Sequence, residues 1–503
     1  MKSWYRLLFL GTTAVAVVAA SCNHDNPGTS DLGGADFAVG SDMAGSGSDD
    51  GGGDGGAVST DMAMPLALTA ASPPTGPTTG NIDVTISGTG FLSGAFVTID
   101  GQSATVKSVT STAIVVTLPA RPGTKGPVAV VVTNPGGKTV MSSTIFAYYF
   151  GTLSFDTAVK TTFGGTPTNI AITEIENNAK PDIVVTDNSS IGQIVTLSGN
   201  GNGTFLTPAK FAAGISTYGL KVLDMDADGF NDVVVTNASS APSGVGIHLN
   251  SKTGTFPSRT PVVTGDIPFS VDAKDINGDG YIDLVVANGG GSSNNLAFLL
   301  GKVGGTYAAP VNLTAGTVPR SVVFVDVNKD GKTDIVAANE STANVSVFIG
   351  DGTGNFGNKK DYQAGSGPYS VAATDFNGDG NVDLIVCNSR DATIALLTGV
   401  GDGSFNAPKT TSLGTPNTSL PYQIAIGDIN GDGRPDVVSA IYADQQIGIT
   451  YNANGLFGTT TKLAASGFPR GVAVGDLNGD GTTDIVSANS TDGSISIILN
   501  KSK

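Results

Sequence analysis

Asp275-Ile276-Asn277-Gly278-Asp279-Gly280-Tyr281-Ile282-Asp283 and Asp375-Phe376-Asn377-Gly378-Asp379-Gly380-Asn381-Val382-Asp383 are two copies of one nine-residue pattern. Further copies begin at Asp224, Asp326, Asp428 and Asp476, and a degenerate one at Glu174. Successive starts lie 50, 51, 51, 49, 53 and 48 residues apart, so the chain from about residue 150 is an array of seven similar units. Each unit reads alike. An alternating run such as Ser370-Val371-Ala372-Ala373 leads into the acidic loop, and the apolar run Leu384 to Cys387 leaves it. A third run follows (Thr393 to Leu397), then a Gly-rich turn ending in an aromatic (Gly401-Asp402-Gly403-Ser404-Phe405) and a fourth run. Four short strands per unit and seven units predict an all-β, seven-bladed propeller over residues 150–503. A β-helix would also repeat, but with a shorter period and without regular hairpin turns. The last unit ends at Ile497 to Asn500 with no fourth run after it, and Thr152 to Lys160, with Phe155 matching Phe405, is expected to supply that strand and close the ring.

The acidic loop has the chemistry of a hard-cation site. Oxygens at positions one, three, five and nine, with the carbonyl of position seven, can converge on one Ca²⁺, and position six needs a sharp turn. Position one is Asp224, Asp275, Asp326, Asp375, Asp428 or Asp476; position three is Asp226, Asn277, Asn328, Asn377, Asn430 or Asn478. Position five is Asp228, Asp279, Asp330, Asp379, Asp432 or Asp480, and position nine is Asp232, Asp283, Asp334, Asp383, Asp436 or Asp484. The carbonyls belong to Phe230, Tyr281, Lys332, Asn381, Arg434 and Thr482. An EF-hand also begins this way but needs helices and a glutamate at position twelve, where Val235, Val286, Ala337, Val386, Ser439 and Ser487 stand. A lone copy would read as a polar hairpin turn; six copies with the ninth-position Asp point to about six calcium sites. In the first repeat Glu174, Glu176, Asn178 and Asp182 occupy the ligand positions and Ala179 replaces the glycine, so that site is expected to be weak or empty.

Loops, four-strand units and Gly-x-Phe turns together resemble the FG-GAP/VCBS repeats of integrin α-subunit propellers and bacterial surface proteins. The resemblance implies a calcium-bearing propeller that recognises partners and names none of them. Upstream, residues 65–149 hold short alternating runs such as Ile82-Asp83-Val84-Thr85-Ile86, Phe96 to Ile99, Ala113 to Val116 and Val128 to Val132. With Gly76-Pro77, Ser87-Gly88-Thr89-Gly90-Phe91 and Asn134-Pro135-Gly136-Gly137, this segment resembles an IPT/TIG domain, which implies an immunoglobulin-like sandwich used as spacer or binding module.

The leader tells a separate story. Lys2 and Arg6 precede an apolar run from Leu7 to Ala20, which ends Ala19-Ala20-Ser21-Cys22. This resembles a bacterial lipobox over residues 1–21, with Cys22 as the lipidated first residue and Asn23 after it favouring the outer membrane. A plain secretory signal cut near Ala20 is the alternative. Residues 22–64 are Gly, Ser, Asp and Ala with eight aspartates and no Lys or Arg, a composition expected to form a disordered tether to a surface-exposed module.

Composition narrows the function. Of 43 acidic residues three are glutamate, and the net charge is −17, which argues against a nucleic-acid partner. Two histidines, His24 and His248, leave little material for a histidine base or multi-histidine metal site. With Cys22 acylated, Cys387 has no disulfide partner and reads as a small buried thiol. Six residues before each loop stand Thr168, Tyr218, Phe269, Arg320, Tyr369, Tyr422 and Arg470, several behind a proline. Starting the innermost strands, they would ring the channel mouth opposite the loops, either as a recognition surface or as blade packing. The favoured reading is a monomeric, non-catalytic cell-surface lipoprotein binding a protein or glycan. An extracellular calcium-dependent polysaccharide lyase or phosphodiesterase, or a pure envelope scaffold, are the alternatives.

Overall fold

Runs of β-branched residues flanked by glycine and aspartate turns leave the chain few options but strands, and the computed structural model contains no helix among its described residues, which are 64–121, 126–150, 153–238, 243–290 and 294–502. The leader, Cys22 and nearly all of the expected tether lie outside them. Residues 67–149 form three small sheets. Ala67–Ser72, Asp83–Thr89, Ala113–Thr117 and Thr105–Val109 make one face, and Thr139–Ser142, Val130–Thr133, Phe96–Ile99 and Gln102–Ser103 the other. Their alternation places Val84, Ile86, Ile114, Val116, Val97, Ile99, Val130 and Val132 in one core with Phe146 and Tyr148. This is the immunoglobulin-like sandwich. The expected strand from Val128 begins at Val130, because Gly126–Pro127 pairs separately with Ala147–Tyr149.

The repeats form seven four-stranded antiparallel sheets. In the fifth complete one Pro368–Thr374 is innermost, followed by Asp383–Asn388, Thr393–Leu397 and Lys409–Ser412. The second strand of every sheet is buried along its whole length and the third nearly so, while the outer strand is mostly exposed. This is why the second strand reads as a continuous apolar run rather than an alternating one. Each innermost strand touches the innermost strand of the next sheet, and Pro167–Thr173 touches Pro469–Gly475, so the ring is closed.

Closure uses both ends of the array. Val159–Thr162 adds to Ser494–Ile498 as the outer strand of the last sheet, with Val159 opposite Ile497 and Thr162 opposite Ser494. Phe155 bridges Asn500 just as Phe205, Phe356 and Phe405 bridge Gly199, Gly350 and Gly399 in other repeats. The segment before the first repeat thus supplies the strand the last repeat lacks, with its pairing reaching two residues beyond Lys160. Along the channel wall Lys221 and Asp272 form a buried ion pair at 2.6 Å, and the same aspartate accepts the Phe324 amide of the following sheet at 2.8 Å. Three sheets are tied at that point by charge as well as by packing.

Candidate functional site

The seven acidic loops share one hydrogen-bonding scheme. The position-one carboxylate accepts the amide of position six, from Gly229 to Asp224 at 2.8 Å, Gly280 to Asp275 at 2.9 Å and Gly380 to Asp375 at 2.8 Å, for example. The position-five carboxylate accepts the amide of position seven, as Tyr281 to Asp279 at 2.9 Å. Wrapping a backbone this tightly requires a left-handed residue at position six, with φ 86° at Gly280 and 82° at Gly380. Position four is left-handed too: glycine in four loops, but Ala227 at φ 62°, Lys329 at 61° and Asn177 at 54° in the others.

The ninth-position aspartate does something else. Asp283 is fully buried and accepts two amides, Ile276 on one oxygen at 3.0 Å and Gly301 on the other at 2.7 Å. The same pair of bonds recurs at Asp232, Asp334, Asp383, Asp436 and Asp484. It recurs at Asp182 of the degenerate repeat, from Ile175 at 2.8 Å and Gly199 at 2.7 Å. This residue therefore ties the loop to the turn after the third strand, a role that the ligand reading of the spacing missed. The signal was available: Asp182 survives where the other ligand positions have decayed. Burial pushes Asp182, Asp383 and Asp484 up to about 6 and Asp232 to about 7; the amides pull back, and neighbouring loop carboxylates add to the rise.

Several features fit a cation. In the second repeat oxygens of Asp224, Asp226 and Asp232 lie within 4.8 Å of one another. Asp326 Oδ1 is buried with no hydrogen-bond donor. The donor set is all oxygen, as Ca²⁺ prefers. The residues that would hold the ion are positions one, three and five, the ninth oxygen and the seventh carbonyl. Asp279→Ala should therefore act through calcium: affinity at one site falls and stability changes little in chelator. Glu174→Ala should change little in either condition. Asp182→Ala should destabilise by about 2–3 kcal/mol with or without calcium, because two buried amides lose their acceptor. Calcium titration and denaturant melts of the three variants check this, and equal stability of Asp182→Ala and wild type would refute the anchoring role.

One loop is covered. Asn430 and Asp432 are buried at 8% and 3% exposure, whereas Asp279, Asp330, Asp379 and Asp480 are exposed. The sandwich sits on this loop: Gly126 donates its amide to Gly431 O at 2.7 Å, and Phe150 donates to Asn430 O at 2.8 Å.

At the other end of the innermost strands Thr168, Tyr218, Phe269, Arg320, Tyr369, Tyr422 and Arg470 line one cavity of about 70 Å³. A β-bulge explains why they meet. Pairing slips between Pro268 and Ser270, Pro319 and Ser321, Pro368 and Ser370, and at the equivalent place in every sheet, so the intervening residue turns toward the channel. The residue before the proline is left-handed even where it is bulky, with φ 50° at Ile267, 59° at Val318 and 48° at Leu420. The side chains interlock. Arg320 lies 3.9 Å over the Phe269 ring and pairs with Glu340 at 2.5 Å; Arg470 donates to the Tyr369 hydroxyl at 2.9 Å and lies 5.4 Å from both the Tyr218 and Tyr422 rings. The Tyr369 and Tyr422 rings meet at 4.5 Å, tilted by 40° to each other. Several of these side chains thus already meet one another within the channel mouth.

The FG-GAP-like repeat matches six overlapping segments, 175–235, 224–286, 275–337, 326–386, 375–439 and 428–487. The chain belongs to the FG-GAP-like repeat family. An IPT/TIG domain matches residues 66–148. No curated protein matches the chain. Among solved structures, an auxiliary nutrient binding protein from Bacteroides ovatus is 12% identical, with 87% of this chain and 98% of that one covered and a TM-score of 0.41. Kuenenia stuttgartiensis hydrazine synthase is 16% identical over 69% of this chain and 98% of that one, TM-score 0.48. The WD40 repeats of RRP9 are 8% identical over 69% and 100%, TM-score 0.48. Among the described residues the cysteine and the histidine of this FG-GAP-like chain are withdrawn from solvent. Cys387 is a free, fully buried thiol whose ionisation burial suppresses, and His248 is buried in Gly244–His248, where burial beside Arg259 lowers it to about 4.

Proposed function

We propose that this FG-GAP-like propeller is a non-catalytic, calcium-stabilised recognition module held at the bacterial cell surface by a lipid on Cys22, binding a protein or glycan at its channel mouth. The observation carrying the reading is the convergence of seven residues, one per sheet, on a single cavity opposite the acidic loops. A scaffold has no need of bulges that turn an arginine or a tyrosine inward at five of seven sheets, nor of strained residues beside them. The loops would brace the blades, and the sandwich would space the propeller from its anchor. The buried states of Cys387 and His248 favour binding over catalysis.

Replacing Tyr369, Tyr422 and Arg470 together by alanine should abolish partner capture, since central aromatic and arginine residues of interfaces are often worth about 2 kcal/mol or more each. Calcium affinity should not change. The melting temperature should fall by a few degrees, because the Arg470–Tyr369 bond and the tyrosine stack are lost with the site. Pull-down or a glycan array, run in calcium and in chelator with both proteins, reads the outcome. A folded triple variant that still captures the partner overturns the placement and moves the site to the sandwich or to the turns between second and third strands.

A further inference from the structure

The channel mouth is electrostatically unlike the rest of the chain. Its lining includes two guanidinium groups and no carboxylate, in a protein of net charge −17. Arg320 is balanced: Glu340 holds it at 2.5 Å and holds Arg390 at 2.9 Å with its other oxygen. Arg470 is not. Among the described residues no carboxylate pairs with it. Its one hydrogen bond is to the Tyr369 hydroxyl, which leaves most of its five N–H donors for something else. Other acids around the same rim are turned to their own surroundings. Asp391 accepts the Ser366 amide, Asp187 accepts the Thr166 amide, and Asp492 and Asp444 pair with Lys160 and Lys462. A half-buried guanidinium without a counter-ion is unfavourable unless rings or a ligand compensate it. Two tyrosine faces at 5.4 Å do part of that.

What the missing partner looks like follows from what the mouth lacks. Some of the rings that could stack on a sugar already have neighbours: Arg320 lies over Phe269, and the Tyr369 and Tyr422 rings meet at 4.5 Å, tilted by 40°. The cavity is small, about 70 Å³. Hydrogen-bonding groups at its floor are the amides of Asn169 and Gln423, joined to each other at 3.0 Å. Building on the reading of the mouth as the recognition face, we infer that it takes a carboxylate carried by an acidic polypeptide, with Arg470 as the counter-ion. A thin acidic side chain can reach the guanidinium between rings that already pack on one another and on Arg320. The net negative charge of the whole molecule opposes such a partner at long range. Cations in the loops would lessen that opposition, so affinity should rise with calcium.

The test uses the full chain and a fluorescein-labelled hexaglutamate peptide, with hexaglutamine and a trigalacturonate as comparators, read by fluorescence anisotropy in calcium at low and physiological salt. Hexaglutamate should bind at least tenfold tighter than hexaglutamine, and Arg470→Gln should remove that difference. Arg470→Lys keeps a cation and should retain part of it, which also covers the case in which Arg470→Gln fails to fold. Equal binding of the two peptides, or a preference unchanged in Arg470→Gln, overturns the inference. Binding of trigalacturonate but not hexaglutamate overturns the choice of polypeptide and assigns an acidic glycan. If a captured natural partner is lost in the Tyr369, Tyr422, Arg470 triple variant while hexaglutamate never binds, the carboxylate inference fails and the mouth remains the site. If that partner survives the triple variant, the site itself is wrong.

Discussion

Chelating calcium should lower the melting temperature by on the order of 10 °C, and magnesium should not restore it. Loops two to seven carry 19 carboxylates. Carboxylates about 4 Å apart repel by about 1 to 4 kcal/mol per pair at a protein surface or in water. Six Ca²⁺ would take the formal charge from −17 to about −5. With free calcium tenfold above a dissociation constant of about 10⁻⁴ M, each site contributes about 1.4 kcal/mol, and six acting on one cooperative ring about 8 kcal/mol. Magnesium demands a compact octahedron, whereas these loops offer a wide oxygen shell from four Asp or Asn side chains and a carbonyl. Melting curves with EDTA, then with excess Ca²⁺ or Mg²⁺, decide the matter. A curve unmoved by chelation would sink the calcium reading.

Removing residues 153–162 should destabilise the propeller by on the order of 5 kcal/mol and cause self-association. The deletion strips the outer strand Val159–Thr162 from Ser494–Ile498 and removes the Phe155 bridge to Asn500. It also frees Lys501 and Ser502, which bond to Ser154. The lost strand leaves Ser494–Ile498, with its three isoleucines, as an unpaired edge, the kind that recruits a second chain. Thr161→Pro is the milder variant: it sits opposite Ile495, and proline interrupts the pairing without shortening the chain. Size-exclusion chromatography with light scattering and thermal melts read both variants. A deletion protein that remains monomeric with an unchanged melt would show that closure does not depend on this strand.

The acidic loops, the four-strand unit and the closing strand were all legible because their causes are local. Asp279 and Gly280 are required by the turn they form, and the same requirement recurs every 50 residues or so. Phe155 could be matched to Phe405 because the aromatic that opens an outer strand needs only its own turn. The immunoglobulin-like segment was equally plain from its alternation, apart from the short pairing of Gly126–Pro127 that displaced the strand start to Val130. The placement of Arg470 and its six counterparts also followed from counting back from each loop.

What those residues do on arrival was not legible. Arg470 meets Tyr369 across 101 positions of sequence, and Asn169 meets Gln423 across 254. No spacing rule predicts which pairs among seven sheets face each other across a channel, so the packing of the rings on one another and the unbalanced charge of Arg470 belong to the assembled ring alone. The same holds for Lys221 with Asp272, and for the sandwich resting on Asn430 and Gly431. Sequence by itself determined the repeat, its acidic loops and the face each strand end would reach, because φ/ψ demands and strand periodicity act over a few residues. Tertiary structure alone decided which charges found partners, because that depends on how closing a ring sets distant residues side by side.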